Sequence, residues 1–158
     1  MIRVKVEGLT ELIENMGATR TMVKPLIAGT LNQVATQIKY DARNIAPIAF
    51  GKLKGGISHT VKKSSLEGIV WSKEKYGVFV ERGTRPHFPP IEPLKRWSAL
   101  KLGNPNLAWA VAKKIAREGT DAQPFMQPAL DKNIFFMKKK FGELAQQLVT
   151  VMKYGNRI

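Results

Sequence analysis

Two histidines, His59 and His87, are the only imidazoles in the chain, and cysteine is absent. Without cysteine there is no thiolate nucleophile, no disulfide and no cysteine-based zinc or iron–sulfur site. The histidines lie far apart, and no HExxH spacing supports them, which leaves a mixed His/carboxylate set as the one metal site to consider. His87, between Pro86 and Phe88, reads as a packing residue or a backbone hydrogen bonder. Glu81 could form a carboxylate pair with Glu92 across the proline-rich loop. Their neighbours Arg82 and Arg85 point instead to local ion pairs, worth about 0–1 kcal/mol when exposed. The stretch Phe50–Gly56, with Gly51, Gly55, Gly56, Lys52 and Lys54, has the composition of a phosphate loop but lacks GxxxxGK[ST] and a following helix. Ser64-Ser65 reads as turn chemistry. No convergent set of acid, base and nucleophile emerges, so the expectation is a protein without enzymatic activity, cofactor or metal.

What remains chemically strong is charge. A formal +14 on 158 residues and a pI near 10.2 imply attraction to something negative, nucleic acid or an acidic protein surface, with a basic surface that only aids solubility as the alternative. The basic residues are spread along the chain, with short clusters at Lys62-Lys63, Lys113-Lys114 and Lys138–Lys140. That distribution describes a broad positive face rather than a sequence-reading arm. Residues 94–118 have the outline of a helix-turn-helix, with Gly103 at the turn and Lys113, Lys114 and Arg117 on the second helix. Its base-reading positions would be Asn106, Leu107, Ala108 and Trp109, a mostly apolar set. A small basic DNA-binding regulator is therefore the second reading.

The elements that must carry this surface follow from periodicity. Hydrophobic content of 44% and charged content of 24% are those of a globular domain, and the chain reads as one domain over 1–158. No apolar run approaches the roughly 20 residues of a membrane span. Residues 1–7 alternate Ile2, Val4, Val6 against Arg3, Lys5, Glu7, which predicts a half-buried strand and, without the apolar run of a secretory signal, a protein that stays in the cytoplasm where it is made. Thr10 caps a short helix over 11–16, closed by Gly17. A long helix over 22–45 buries Val23, Ile27, Leu31, Val34, Ile38, Ala42 and Ile45, with Pro25 in its first turn and Pro47 after its end. Residues 57–82 form a β-hairpin region, with strands 57–63 and 67–72 and a third strand or short helix at 76–80. Pro86, Pro89, Pro90 and Pro93 make 85–92 extended. A helical insert over 93–118 follows, with Leu94, Trp97 and Leu100 inward on one helix and Leu107, Val111 and Ile115 on the next. The last helix, 126–153, carries Leu130, Ile134, Met137, Phe141, Leu144, Leu148 and Val151 in steps of four and three. Residues 154–158 read as a tail. The fold class is α+β: a small antiparallel sheet packed against a long N-terminal and a long C-terminal helix, with the proline loop and two short helices between.

Three segments, in order, resemble the HK97 gp10-like family of tailed-phage head–tail joining and tail-completion proteins. Ala46–Ile57 is similar to its alanine-proline, glycine-x-leucine, isoleucine pattern, through Pro47, Gly51 and Leu53. Tyr76–Thr84 is similar to its tyrosine…valine-glutamate-x-glycine-threonine pattern, through Tyr76, Gly83 and Thr84. Gln123–Leu130 is similar to its proline-phenylalanine…proline-alanine-leucine pattern, through Pro124, Phe125 and Pro128. The Pro86–Pro93 segment and the helix carrying Trp97 make the middle longer than in compact members, which leaves neck protein, tail terminator and minor tail protein as alternatives.

The resemblance implies a structural virion subunit at the head–tail junction or tail end, forming a homo-oligomeric ring with other phage neck and tail proteins. A hexamer is expected, with a dodecamer as the alternative. DNA crossing such a ring gives the +14 a purpose, with Lys52, Lys54, Lys62 and Lys63 as expected non-specific duplex contacts in the lumen. Glu81, Arg82, Arg85, Phe88, Ile91, Phe135 and Phe136 are expected at the subunit interface. Gly83 is expected to have a positive φ, and Glu81 to matter for assembly more than for folding.

Overall fold

In the computed structural model the described residues are 1–5, 20–48 and 51–154. The short helix expected over 11–16 with its Thr10 cap, the end of the first strand, Phe50 and the 155–158 tail lie outside them. The order is β1 (Ile2–Lys5), α1 (Arg20–Ile45), α2 (Lys52–Gly56), β2 (Ile57–Lys62), β3 (Glu67–Ser72), α3 (Gly77–Arg82), α4 (Ile91–Leu102), a 3-10 turn (Pro105–Leu107), α5 (Ala108–Glu118) and α6 (Met126–Tyr154). The protein is α+β, with one three-stranded antiparallel sheet of order β1-β3-β2 and long helices near both ends of the chain.

β3 is central because Gly68, Ile69 and Val70 are buried in succession, while β1 shows only Ile2 and Val4 to the interior. Ile2 pairs with Val70 and Lys5 with Glu67 across one edge, and His59 with Val70 and Lys62 with Glu67 across the other. The hairpin closes through Leu66, whose φ of 50° is unusual for a branched side chain and which is held there by burial among Val23, Ile27, Leu31, Leu144 and Leu148.

α1 lies between the sheet and α6. Val23, Ile27, Leu31, Val34, Ile38 and Ala42 are buried as their spacing predicts. Ile45 is not; it is 39% exposed, and Ala46, one residue on, takes the interior position. The helix starts two residues earlier than expected, so Pro25 lies past the first turn. On α6, Leu144 and Leu148 are buried but Ile134 is 45% exposed, and Asn133 occupies the inward position beside it. Asn133 turns inward because its amide finds Asp41 Oδ2 at 2.8 Å and Ala129 O at 2.8 Å.

Three further expectations are corrected. Residues 52–56 are a short helix rather than loop, led by Gly51 in the left-handed region at φ 72°; Gly55 and Gly56 need no such freedom. The β-hairpin region ends at Ser72 rather than at 82, and of the two readings of 76–80 the short helix is the one found, over 77–82, because Gly77 and Val80 close helical turns on Glu74 and Tyr76. In the insert, Leu100 and Leu107 point outward at 66% and 40% exposure, while Ser98, Ala108 and Ala112 form the fully buried seam. Small residues let two short helices approach closely, so the largest apolar residues are displaced to the rim.

Candidate assembly and nucleic-acid surfaces

The three segments that carry the family resemblance meet in space. Ala46, Leu53 and Ile57 from the first, and Phe125, Met126 and Ala129 from the third, belong to one buried cluster. Val80 and Leu130 pack on its margin. Gln123 N–H donates to Val80 O at 2.8 Å, tying the second segment to the third.

Glu81 is the centre of that joint. Its Oε2 accepts from Phe125 N at 2.8 Å and Met126 N at 2.9 Å, and its Oε1 from Gln127 N at 3.0 Å. These are the free amides at the start of α6, which no residue of the helix itself can satisfy. A remote carboxylate thus caps the longest helix and meets the positive end of its dipole. Burial works to raise the Glu81 pKa, but the three amides together hold it below the ordinary 4.5. Among the described residues Glu81 pairs with neither Arg82, Arg85 nor Glu92; Glu92 is bound by Lys95 at 2.7 Å. The expected local ion-pair role of Glu81 is therefore replaced by an intrachain cap. Pro124 stands just before the helix and Pro128 in its first turn, where neither removes a needed donor.

Gly83 follows at φ 72°, ψ −178°, as the turn reading expects. Its counterpart is Gly119, at φ 78°, ψ −153°. Each ends a helix and each is followed by threonine. Thr84 N donates to Thr120 O at 3.0 Å and Thr120 N to Thr84 O at 3.2 Å, and the two hydroxyls meet at 2.9 Å. A Cβ on Gly83 would run into the Thr120 carbonyl, and one on Gly119 into the Thr84 carbonyl. The pair forms a clasp at the point where the insert leaves and rejoins the body. His87 extends it: Nδ1 donates to Arg85 O at 2.9 Å and the backbone N–H reaches Ile115 O at 3.4 Å.

A second polar centre, not foreseen from sequence, joins α1 to α6. Asp41, 3% exposed, accepts from Lys132 Nζ at 2.6 Å, Asn133 Nδ2 at 2.8 Å and Gln37 Nε2 at 3.0 Å. Burial opposes ionisation, yet these donors keep its pKa below the ordinary 3.8. Its sequence signal was position: Asp41 falls three residues after Ile38, on the buried side of α1. Opposite, His59 Nε2 lies 3.1 Å from Asn32 Oδ1 and 3.2 Å from Thr36 Oγ1. Burial, then Lys39 and Arg43, push its pKa below 6.5. Arg43 is itself fixed on Ile57 O at 2.8 Å.

The expected lumen lysines do not form one cluster. Lys52 and Lys54 are on α2, before β2 begins, whereas Lys62 ends β2 and Lys63 follows it. A strand of that length separates them by roughly 17 Å, and Lys62 stands opposite Glu67. Of the expected interface residues, Arg82 and Arg85 are exposed, Ile91 is half-buried and Phe136 packs on the main core. Phe135 is 80% exposed. Phe88 is exposed and tilted on Trp109, ring centroids 6.3 Å apart. A cleft of about 620 Å³ runs between body and insert, lined by Ile48, Tyr76, Phe79, Leu94, Trp97 and Lys101 among others. Among the described residues no three His, Asp or Glu side chains gather as a metal site, and no helix is long and apolar enough to cross a membrane. No family model, curated protein or solved structure matches the chain.

Proposed function

We propose that the chain is a structural subunit of a tailed-phage virion, of the HK97 gp10-like kind, that joins or completes the head–tail interface as a ring through which DNA passes. The observation that carries the reading is the joint: three segments resembling that family, far apart in sequence, converge on one cluster and one carboxylate cap. The residues of the resemblance are thereby accounted for as fold residues, which suits a protein that acts through surfaces. The reading assigns the chain no turnover, cofactor or metal. The exposed Phe88, Phe135 and Phe79 are available for contacts with neighbouring copies or with neck and tail proteins, since apolar surface of this kind marks interaction sites. A repeated head-to-tail contact closes into a ring when its rotation allows, here a hexamer with a dodecamer as the alternative.

Native mass spectrometry and negative-stain microscopy test this. A discrete closed oligomer, alone or with the phage's neck proteins, is the expected result. A chain that stays monomeric with those partners present removes the ring.

A further inference from the structure

We propose that the duplex-DNA contact of this chain is the outer face of α5 on the insert, rather than the lysines flanking β2. The inference deepens the ring reading and rests on it only for the identity of the polyanion. Between 85 and 120 the sequence holds seven Lys or Arg and two Glu. Both acids are already engaged, Glu92 by Lys95 and Glu118 by Arg117 at 2.5 Å. Ala108 and Ala112 anchor α5 at zero exposure, which turns Lys113, Lys114 and Arg117 to solvent. They occupy one face within about 6 Å of helix length. Among the described residues neither Lys113 nor Lys114 forms an ion pair. Lys114 has Glu118 one turn on, but that carboxylate is bound by Arg117. Lys62 has Glu67 across the strand pair, and no ion pair of Glu67 is seen among the described residues.

The face is also held still. Its base is the Gly83–Thr84/Gly119–Thr120 clasp. Its tip is set by Gly103 in the left-handed region and by Asn104 Oδ1, which accepts from Asn106 N at 2.9 Å. A rigid comb of cations spends less entropy on ordering when it meets a phosphate backbone. Between Trp109 and Arg117 the exposed positions carry Ala110 and basic residues, with no Asn or Gln to read adenine. These cations are assigned to phosphates, a contact that carries no sequence information; guanine reading, which Lys and Arg also perform, would appear as a preference between the two duplexes of the test. Single-strand binding uses an aromatic face open to a splayed base. Trp109 is tilted on Phe88 and stays 54% exposed, so stacking on it is the alternative that the single-strand arm of the test separates.

The test uses the full chain and a short duplex in two unrelated sequences, followed by fluorescence anisotropy between about 50 and 200 mM salt. K113E/K114E should weaken both duplexes by about tenfold or more and lower the salt slope by about two. K62E/K63E should change affinity by less than about threefold. Circular dichroism confirms that both variants fold. The proposal is overturned if K113E/K114E binds like the parent, if K62E/K63E carries the larger loss, if one duplex is strongly preferred, or if single strands bind more tightly and lose that binding in W109A. Native mass spectrometry of the same samples separates the two ideas. A monomer that binds duplex through Lys113 and Lys114 removes the ring and keeps the inference, and a ring whose DNA affinity ignores those lysines does the reverse.

Discussion

The body and the insert solve the problem of holding position in different ways. From α1 to α3 and again in α6, large side chains such as Ile27, Leu31, Ile38, Ile57 and Phe125 fill two adjoining clusters. Residues 85–119 contribute no member to either cluster. The insert's most deeply buried side chains, Ser98, Ala108 and Ala112, are small. Its larger ones, Leu94, Trp97, Val111 and Ile115, are only half-buried, so each supplies part of what full burial gives at about 25 cal/mol per Å² of apolar surface. What holds it is backbone: two glycines at positive φ and a reciprocal threonine bridge. A region fixed by its core must keep its apolar residues inside. A region fixed by its backbone can spend side chains on its surface, and the insert exposes Phe88, Leu100, Trp109 and a row of cations.

The sharpest way to break that contrast is Gly119→Ala. The conformation at φ 78°, ψ −153° belongs to a region nearly exclusive to glycine, and the new Cβ would meet the Thr84 carbonyl. The expected cost is about 3 kcal/mol, felt first by the insert. Hydrogen exchange should speed up across 85–119 while the α1 and α6 amides keep most of their protection. If protection is instead lost evenly through the chain, body and insert are one cooperative unit. Exchange indistinguishable from the parent would mean that the clasp does not hold the insert.

The next effect belongs to the body side of the joint. Glu81→Gln keeps the shape but gives up the charge and turns an amide toward the α6 amides, at an expected cost of about 2 kcal/mol in urea unfolding. Its signature is the pH dependence. The folded Glu81 pKa lies below the ordinary 4.5, so its contribution is complete above that value and is lost as pH falls toward the folded pKa. Asp41 behaves alike below 3.8. His59, also lowered from 6.5, costs stability as pH drops through that range, because the unfolded state takes up the proton first. Glu81→Gln should therefore flatten the loss below pH 4.5 while leaving the slope between 7 and 5 intact. A parent-like acid limb would mean that the cap contributes nothing.

The same contrast sets how much could be read in the sequence. The stripes of α1 and α6 were legible because Val23 to Ala42 and Leu144 to Leu148 repeat at helical spacing and are buried on large partners. Gly83 was legible because a turn had to follow a short apolar segment. Glu81 was misread because its partners are 44 to 46 positions away, and no local pattern announces a cap supplied from another element. Asp41 and Asn133, 92 positions apart, failed for the same reason, although a polar residue on a buried stripe signals that a partner must exist. In the insert, Leu94, Trp97, Val111 and Ile115 are half-buried on the faces their period predicts, and only Leu100 and Leu107, nearest the turn between the helices, are exposed.

The smallest effect tests whether the insert's seam is tuned for stability at all. Ser98 is fully buried on α4, whose main partners are α5 and the turn between them, and its hydroxyl has no hydrogen-bond partner among the described residues. A buried polar group left without a bond costs about 1–3 kcal/mol, and removing it removes that cost. Ala fits the space and suits a helix better than Ser. Ser98→Ala should thus be neutral or stabilise by up to about 1 kcal/mol, visible as slower exchange in α4 and α5 with an unchanged body. A clear loss of protection would show that the hydroxyl bonds within the seam in solution. The insert would then depend on an interior polar contact, as α1 and α6 depend on Asp41, and the contrast between backbone-held and core-held regions would weaken.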